Sequence, residues 1–147
     1  MGEIDLDGRR FRTVRNSDAG ESSSQTVFHY RQKGSVVWAT YRGGDVALGT
    51  LLARADGAGR LDMVYQHLNK NGDFRSGRCR ARAEVLPDGR YRLHETWEWT
   101  SGAAGKGHSV TEEVPRPRPS AGPRKEGART SSGRIRPSRR DRVLLLP

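Results

Sequence analysis

Glu95 is the residue of this sequence whose neighbours most favour chemistry. Apolar and polar residues alternate from 91 to 99, so Glu95 shares one face of a predicted β-strand with Trp97 and Trp99. If that face lines an interior, the loss of water around the carboxyl group raises its pKa unless a partner compensates. A carboxyl group held among aromatic rings is a polar anchor for a bound molecule.

His67 is the second candidate, because its predicted strand also alternates. The residues that share one face of this strand are Leu61, Met63, Tyr65 and His67. A histidine beside a buried carboxyl group forms an acid–base pair that can move protons on a small substrate. Two other interpretations stay open. Glu95 forms an internal ion pair, with His67 or with an inward arginine, that only satisfies its charge, or Trp97 and Trp99 face outward at a rim.

Aromatic residues recur on the predicted strands and have two explanations. Rings that surround a few polar groups are typical of small-molecule sites, and rings also fill the core of a small barrel. A void between the rings distinguishes the first from the second. The aromatic set is Phe28, Tyr30, Trp38, Tyr65, Trp97 and Trp99. The residues that we predict to contact a ligand are Trp38, Tyr65, His67, Glu95, Trp97 and Trp99.

Short runs rich in Val, Tyr, Phe, Trp and Thr, separated by turns that mostly contain glycine, make up most of the chain up to residue 114. No window of a dozen residues keeps the apolar spacing of an amphipathic helix without a glycine cluster. Asn71-Gly72 is the strongest short turn signal, because both residues tolerate the left-handed conformation of a type I′ hairpin. The predicted strands are 9–15, 24–32, 35–42, 45–55, 60–69, 73–86, 90–100 and 107–114.

Eight strands joined by short turns predict an antiparallel meander. Without a covering helix, the meander must bury one face itself. Closure into an up-and-down β-barrel achieves this and also removes both exposed edges. A two-sheet sandwich needs some long connections, whereas nearly every predicted link is short. We therefore predict an all-β fold, a single eight-stranded antiparallel up-and-down β-barrel domain over residues 1–114.

The last part of the chain has a different composition. Residues 1–113 contain 17 Lys and Arg against 15 Asp and Glu, whereas residues 114–147 contain 10 against two. An Arg-, Pro- and Gly-rich segment of this kind cannot bury enough apolar surface to fold. We predict a disordered basic tail over residues 115–147, which a frameshift or read-through also explains. Such a tail binds nucleic acid non-specifically through phosphates, but it lacks aromatic residues for base stacking.

The cysteine count, the N-terminal residues and the spacing of the histidines predict the cellular compartment and the use of cofactors. Cys79 is the only cysteine, so an internal disulfide is excluded. Residues 1–8 lack the basic start and apolar stretch of a signal peptide, and no apolar run approaches the roughly 20 residues of a bilayer span. These features predict a cytoplasmic protein without membrane contact. The four histidines have no close metal-ligand spacing, so we predict no metal and no cofactor.

Four segments carry a resemblance to a known family. They are VWATYRGG at 37–44, LDMVYQHLN at 61–69, LPDG at 86–89 and LHETWEWTSG at 93–102. Over roughly residues 4–113 the chain resembles a family of small bacterial proteins that are grouped with avidin-like barrels and often carry an N-acetylglutamate synthase label. The resemblance implies an eight-stranded calycin-type barrel of the avidin and lipocalin kind, and it implies no catalytic residues.

The acetyltransferase label conflicts with the residues. Transferases that use acetyl-CoA usually resemble an α/β domain in which a glycine-rich pyrophosphate loop leads into a helix, and the sequence has neither feature. We therefore expect a non-enzymatic β-barrel module that binds a small molecule. The alternative is a small enzyme that uses Glu95 and His67 as acid and base on a bound metabolite.

Overall fold

The chain forms a closed barrel of eight antiparallel strands. The computed structural model describes residues 2–102 and 104–115, and every helix or strand within them is a β-strand. The strands are β1 Arg10–Asn16, β2 Val27–Lys33, β3 Val36–Gly43, β4 Val46–Ala55, β5 Arg60–Asn69, β6 Phe74–Val85, β7 Tyr91–Trp99 and β8 Lys106–Glu113. All eight predicted strands are confirmed, with ends that differ by up to three residues.

β1 closes the barrel by pairing with two strands. Phe11 lies opposite Phe28 of β2 and opposite Glu113 of β8, and both pairings are antiparallel. The strand order around the barrel is therefore β1 to β8 without a crossover. The register between β1 and β8 shifts between Thr13 and Arg15, which is the mark of a β-bulge. The predicted up-and-down barrel is confirmed, and the sandwich alternative is wrong.

The predicted hairpin between β5 and β6 is present, but its turn is not of type I′. Of Asn71 and Gly72, only Gly72 has a positive φ, of 88°, because every positive φ among the described residues belongs to a glycine. A type I′ turn needs positive φ at both central residues, so that prediction for Asn71-Gly72 was wrong. The turn is held instead by the Asn69 side chain, whose Oδ1 accepts the backbone N–H groups of Asn71 and Asp73 at 3.0 and 2.9 Å.

The N-terminal segment closes one end of the barrel. Leu6 is fully buried and Ile4 is 5 % exposed, although both precede β1. The Gln32 side chain fixes them, because its Oε1 accepts the Leu6 N–H at 2.8 Å and its Nε2 donates to the Ile4 carbonyl at 3.1 Å. Arg9 forms an ion pair with Glu113 at 2.9 Å beside them. Any interior space must therefore lie toward the opposite end.

Two inward glycines make room for tyrosine rings on neighbouring strands. Gly49 of β4 lies opposite Tyr41, and Gly77 of β6 lies opposite Tyr65. A Cβ atom at Gly49 would overlap the Tyr41 ring, and one at Gly77 would overlap the Tyr65 hydroxyl. The absence of a side chain at these positions lets both rings lie flat against the barrel wall.

Replacing Gly49 with alanine is expected to lower the free energy of unfolding by about 1–3 kcal/mol, because the buried Tyr41 ring must move to admit a methyl group. The matched control is Gly57→Ala, where the added Cβ meets no atom within 4 Å. The control is expected to change stability by less than about 0.5 kcal/mol. Urea unfolding followed by circular dichroism measures both. Equal stability of the two variants would contradict the tight fit at Gly49.

The predictions about the tail, the domain boundary and the cellular location are not tested by the structure of the barrel. The predicted tail over residues 115–147 lies outside the described residues except for Pro115, so its disorder and the domain boundary stay predictions. No helix that could cross a bilayer occurs within residues 2–102 and 104–115. The cytoplasmic location stays a prediction as well.

Candidate functional site

A cavity of about 60 Å³ lies inside the barrel, between its middle and the end away from the N-terminal segment. This volume accommodates a few water molecules or a small chemical group. Its aromatic lining consists of Phe28, Tyr30, Tyr41, Tyr65, Trp97 and Trp99. Its polar lining includes Asn16, Glu21, Ser22, His67, Glu95 and Ser109. Many rings with a few polar groups at set positions are the lining that small-molecule sites have.

Five of the six predicted ligand contacts line this cavity, and Trp38 does not. The five are Tyr65, His67, Glu95, Trp97 and Trp99. Trp38 is 39 % exposed, while its neighbours Val37 and Ala39 are buried. Because side chains alternate along a strand, Trp38 lies on the outer face of β3. Its assignment to the interior was wrong, and Tyr41 of the same strand, which sequence reasoning did not include, takes that place.

Glu95 is the acidic group at the inner part of the cavity. Its Oε1 accepts a hydrogen bond from the Ser109 hydroxyl at 2.6 Å, and its Oε2 accepts a weaker one from Thr111 at 3.4 Å. Burial raises the pKa of Glu95 from 4.5 to about 7, and these two hydrogen bonds oppose the rise only in part. The carboxyl group therefore changes charge near neutral pH, as sequence reasoning anticipated for an inward acid.

His67 lies at the outer part of the cavity and has its own partners. Its Nδ1 is 3.0 Å from the Tyr41 hydroxyl, and its Nε2 is 2.7 Å from Oε1 of Glu21. A carboxylate only accepts hydrogen bonds, so Nε2 carries a proton, and in a neutral ring Nδ1 then accepts from Tyr41. Glu95 and His67 line one cavity, but the hydrogen bonds described for each of them go to different residues.

Glu21 was missed by sequence reasoning and is the centre of a polar cluster. It belongs to the loop over residues 17–26, which connects β1 and β2, and its side chain is only 18 % exposed. Its Oε2 accepts from Arg75 at 3.0 Å and from the Asn69 amide at 3.2 Å. The sequence shows only an acidic residue in a polar loop, which carries no signal for an inward position.

The same loop covers the cavity and is held there by Trp99 directly and by Trp97 through Asn16, the last residue of β1. The indole N–H of Trp97 donates to Oδ1 of Asn16 at 3.0 Å, and that of Trp99 donates to the Ala19 carbonyl at 3.0 Å. The Asn16 amide in turn donates to the Ser22 carbonyl at 3.0 Å. Buried indole N–H groups need such partners. The loop is therefore part of the wall of the cavity.

The comparisons with known proteins give one match. A family model described as avidin-like protein matches residues 4–114, which is most of the chain. The chain belongs to this avidin-like family. No match was found among the curated proteins or among the solved structures. The membership confirms the resemblance carried by the four sequence segments, and an avidin-like barrel is a fold that suggests a ligand-binding module.

The Cys79 thiol and the Tyr41 and Tyr65 hydroxyl groups, all in the interior of this avidin-like barrel, are held in their protonated forms by burial. Cys79 faces the cavity, but burial raises the pKa of its thiol, so it remains protonated and a poor nucleophile. Burial likewise raises the pKa of the Tyr41 and Tyr65 hydroxyl groups, which stay neutral hydrogen-bonding groups. Within residues 2–102 and 104–115, no three His, Cys, Asp or Glu side chains are gathered as metal ligands.

Proposed function

We propose that this avidin-like barrel binds a small, partly apolar molecule in its interior cavity and releases it unchanged. The observation that carries the proposal is the lining: aromatic rings on several sides of one space, with a carboxyl group and an imidazole at opposite parts of it. A filled core would have left no space between these rings.

The walls indicate the shape of the ligand. The ring centroids of Trp97 and Trp99 are 5.5 Å apart, and those of Tyr65 and Trp99 are 5.8 Å apart with planes at 63°. Rings in such contacts offer faces and edges to a flat apolar group. Glu95 adds one position where a donor on the ligand is favoured. A molecule larger than the present cavity is admitted only when the loop over residues 17–26 moves.

A second candidate function is acid–base catalysis on the bound molecule. It is favoured by one observation, the carboxyl group of Glu95 with a pKa of about 7 in the same cavity as His67. A proton-transferring group works best when its pKa lies near the operating pH. This candidate predicts turnover of some metabolite that is lost in Glu95→Gln and in His67→Ala. Ligand binding without turnover across a metabolite panel would eliminate it.

The binding proposal is tested with the tryptophans as reporters. We first expect a co-purifying or added small molecule to be detected by native mass spectrometry of the protein from its own host. Replacing Trp97 with alanine is then expected to weaken that binding at least tenfold, because a wall of the cavity is lost. Intrinsic fluorescence of the titrated protein measures the affinity, and circular dichroism checks that the variant is folded.

Trp38→Ala is the matched control, since this ring lies on the outer face of the same barrel. It is expected to leave the affinity unchanged. Two results would contradict the proposal: equal weakening by both substitutions, which places binding outside the cavity, or no ligand for the folded protein in either the native spectrum or a panel of small aromatic and heterocyclic molecules.

A further inference from the structure

In the polar cluster around Glu21, the hydrogen-bond donors lie on strands and the acceptor lies on a loop. The three donors stand on strands: His67 and Asn69 belong to β5, and Arg75 belongs to β6, directly opposite His67 in the register. The acceptor, Glu21, stands on a loop. Hydrogen-bonded strands hold their side chains in fixed positions, whereas a loop is the element that moves at low cost. The donors are therefore a preformed set, and the carboxylate is the part that can leave.

The three donors converge on a single carboxylate group. One oxygen of Glu21 lies 2.7 Å from His67 Nε2, and the other lies 3.0 Å from Arg75 Nη1 and 3.2 Å from the Asn69 amide nitrogen. The guanidinium of Arg75 lies over the Trp99 ring, with its carbon 4.0 Å from the ring centroid. This stacking fixes the plane of the guanidinium, which is the arrangement in which arginine recognises carboxylates best.

Because these groups are buried, the loss of the anion that they bind would destabilise the folded protein. The side chains of His67, Arg75 and Glu21 are 3 %, 16 % and 18 % exposed. A cation so far removed from water is costly when its counter-charge is taken away. If the loop moves and Glu21 leaves, another carboxylate in the same position restores the lost interactions. His67 and Trp99 also line the cavity, so this position is continuous with it.

We propose that His67, Asn69 and Arg75 form a carboxylate-binding site that Glu21 occupies as an internal substitute, and that the natural ligand is a small carboxylic acid whose carboxylate displaces Glu21. The inference deepens the proposed function and rests on it for the apolar part of the ligand. The carboxylate takes the place of Glu21, and the remainder of the molecule lies between the aromatic walls. The loop then acts as an intramolecular competitor that sets the affinity.

The test is chemical rescue with acetate. In Glu21→Ala the side chain is truncated and leaves space for a free carboxylate between the three donors. Sodium acetate, compared with acetamide and with sodium chloride at the same ionic strength, is expected to raise the midpoint of thermal unfolding of this variant by about 4 °C at a concentration several times the Kd. The native protein is expected not to respond, because Glu21 already occupies the site.

Two further variants show where the acetate acts. Asp18→Asn removes a negative charge from an exposed position of the same loop, and it is expected to behave as the native protein does. Combining Glu21→Ala with Arg75→Gln is expected to abolish the rescue. Should that double variant fail to fold, the shift of the Trp99 indole N–H signal on adding acetate to Glu21→Ala provides the same information, since this ring stacks on Arg75.

A neutral probe separates this proposal from the binding function. Indole has no carboxylate, so after the loop over residues 17–26 has moved it can contact only the aromatic part of the cavity. Indole binding that depends on Trp97, together with no difference between acetate and acetamide, would overturn the carboxylate site and leave the binding function standing. Rescue by acetate without binding of any apolar molecule would support the carboxylate site and contradict the cavity as the place of the ligand. Equal rescue of Asp18→Asn would also overturn the proposal.

Discussion

Replacing Phe11 with alanine is expected to lower the free energy of unfolding by about 3–5 kcal/mol. Phe11 is fully buried, and its ring meets Tyr30 edge-to-face with centroids 5.2 Å apart. It also stands on β1, opposite Phe28 of β2 and Glu113 of β8. The truncation therefore removes packing where the barrel closes, and the surrounding strands cannot collapse into the gap without breaking their ladder. Urea unfolding monitored by circular dichroism measures the loss.

Phe74→Ala is the matched control, because the same side chain is removed from a position that is 81 % exposed. This change is expected to alter stability by less than about 0.5 kcal/mol. The comparison holds the chemistry constant and varies only the burial. Similar losses for the two variants would show that Phe11 does not pack in the core of the barrel in solution.

Glu95→Gln is expected to remove much of the pH dependence of stability between about pH 4.5 and 7. In the folded protein the pKa of Glu95 is raised from 4.5 to about 7, so over this interval the folded state binds more protons than the unfolded state. Stability then falls as the pH rises, by about 3 kcal/mol in total for the full shift. The contribution is complete below pH 4.5 and lost above pH 7. A glutamine, which does not ionise, keeps the barrel stable at pH 8.

Glu98→Gln provides the control, since Glu98 lies on the same strand but is exposed on the outer face. It is expected to leave the slope of stability against pH as it is in the native protein. Thermal unfolding between pH 4 and pH 8 measures all three proteins. If stability depended on pH in Glu95→Gln as steeply as in the native protein, the Glu95 carboxyl group would have to be in contact with water rather than desolvated in the cavity.

The strands were predictable because their signals are local. Alternation along β7 requires only that neighbouring residues point to opposite faces, and this placed Glu95, Trp97 and Trp99 on one side before any contact was known. The positions of the turns follow from glycines such as Gly72, because a residue without a Cβ atom adopts a positive φ without a steric cost. Eight such segments leave few arrangements other than a barrel.

Faces were harder to assign where both sides of a strand carry an aromatic residue. On β3, alternation separates Trp38 from Tyr41 but does not say which of the two is inside. The sequence-based prediction placed Trp38 among the ligand contacts, and the barrel instead buries Tyr41. Tyr41 fits inside because Gly49, which lies opposite it on the next strand, has no side chain and leaves room for the ring. That pairing is visible only once the register is known.

The partners of His67 were not predictable from the sequence. Glu21 lies 46 residues from His67 and 54 residues from Arg75 in the chain. The three meet because the loop after β1 bends inward, and no periodic pattern describes a loop. Sequence reasoning therefore found the walls of the cavity and one of its two acidic groups. It did not find Glu21, the acidic residue that the loop over residues 17–26 places in the cavity.

The seam between β1 and β8 can form only after the last strand has been synthesised, because these two strands pair with each other. Phe11 and Glu113, which pair across the seam, are separated by almost the whole described part of the chain. Until the final strand is complete, the sheet formed by the earlier strands has two unpaired edges, which can pair with other nascent chains. Contacts of such long range also make folding slow, on a scale of milliseconds to seconds. Cellular yield is thus expected to depend on how well chaperones shield those edges until β8 has left the ribosome and paired with β1.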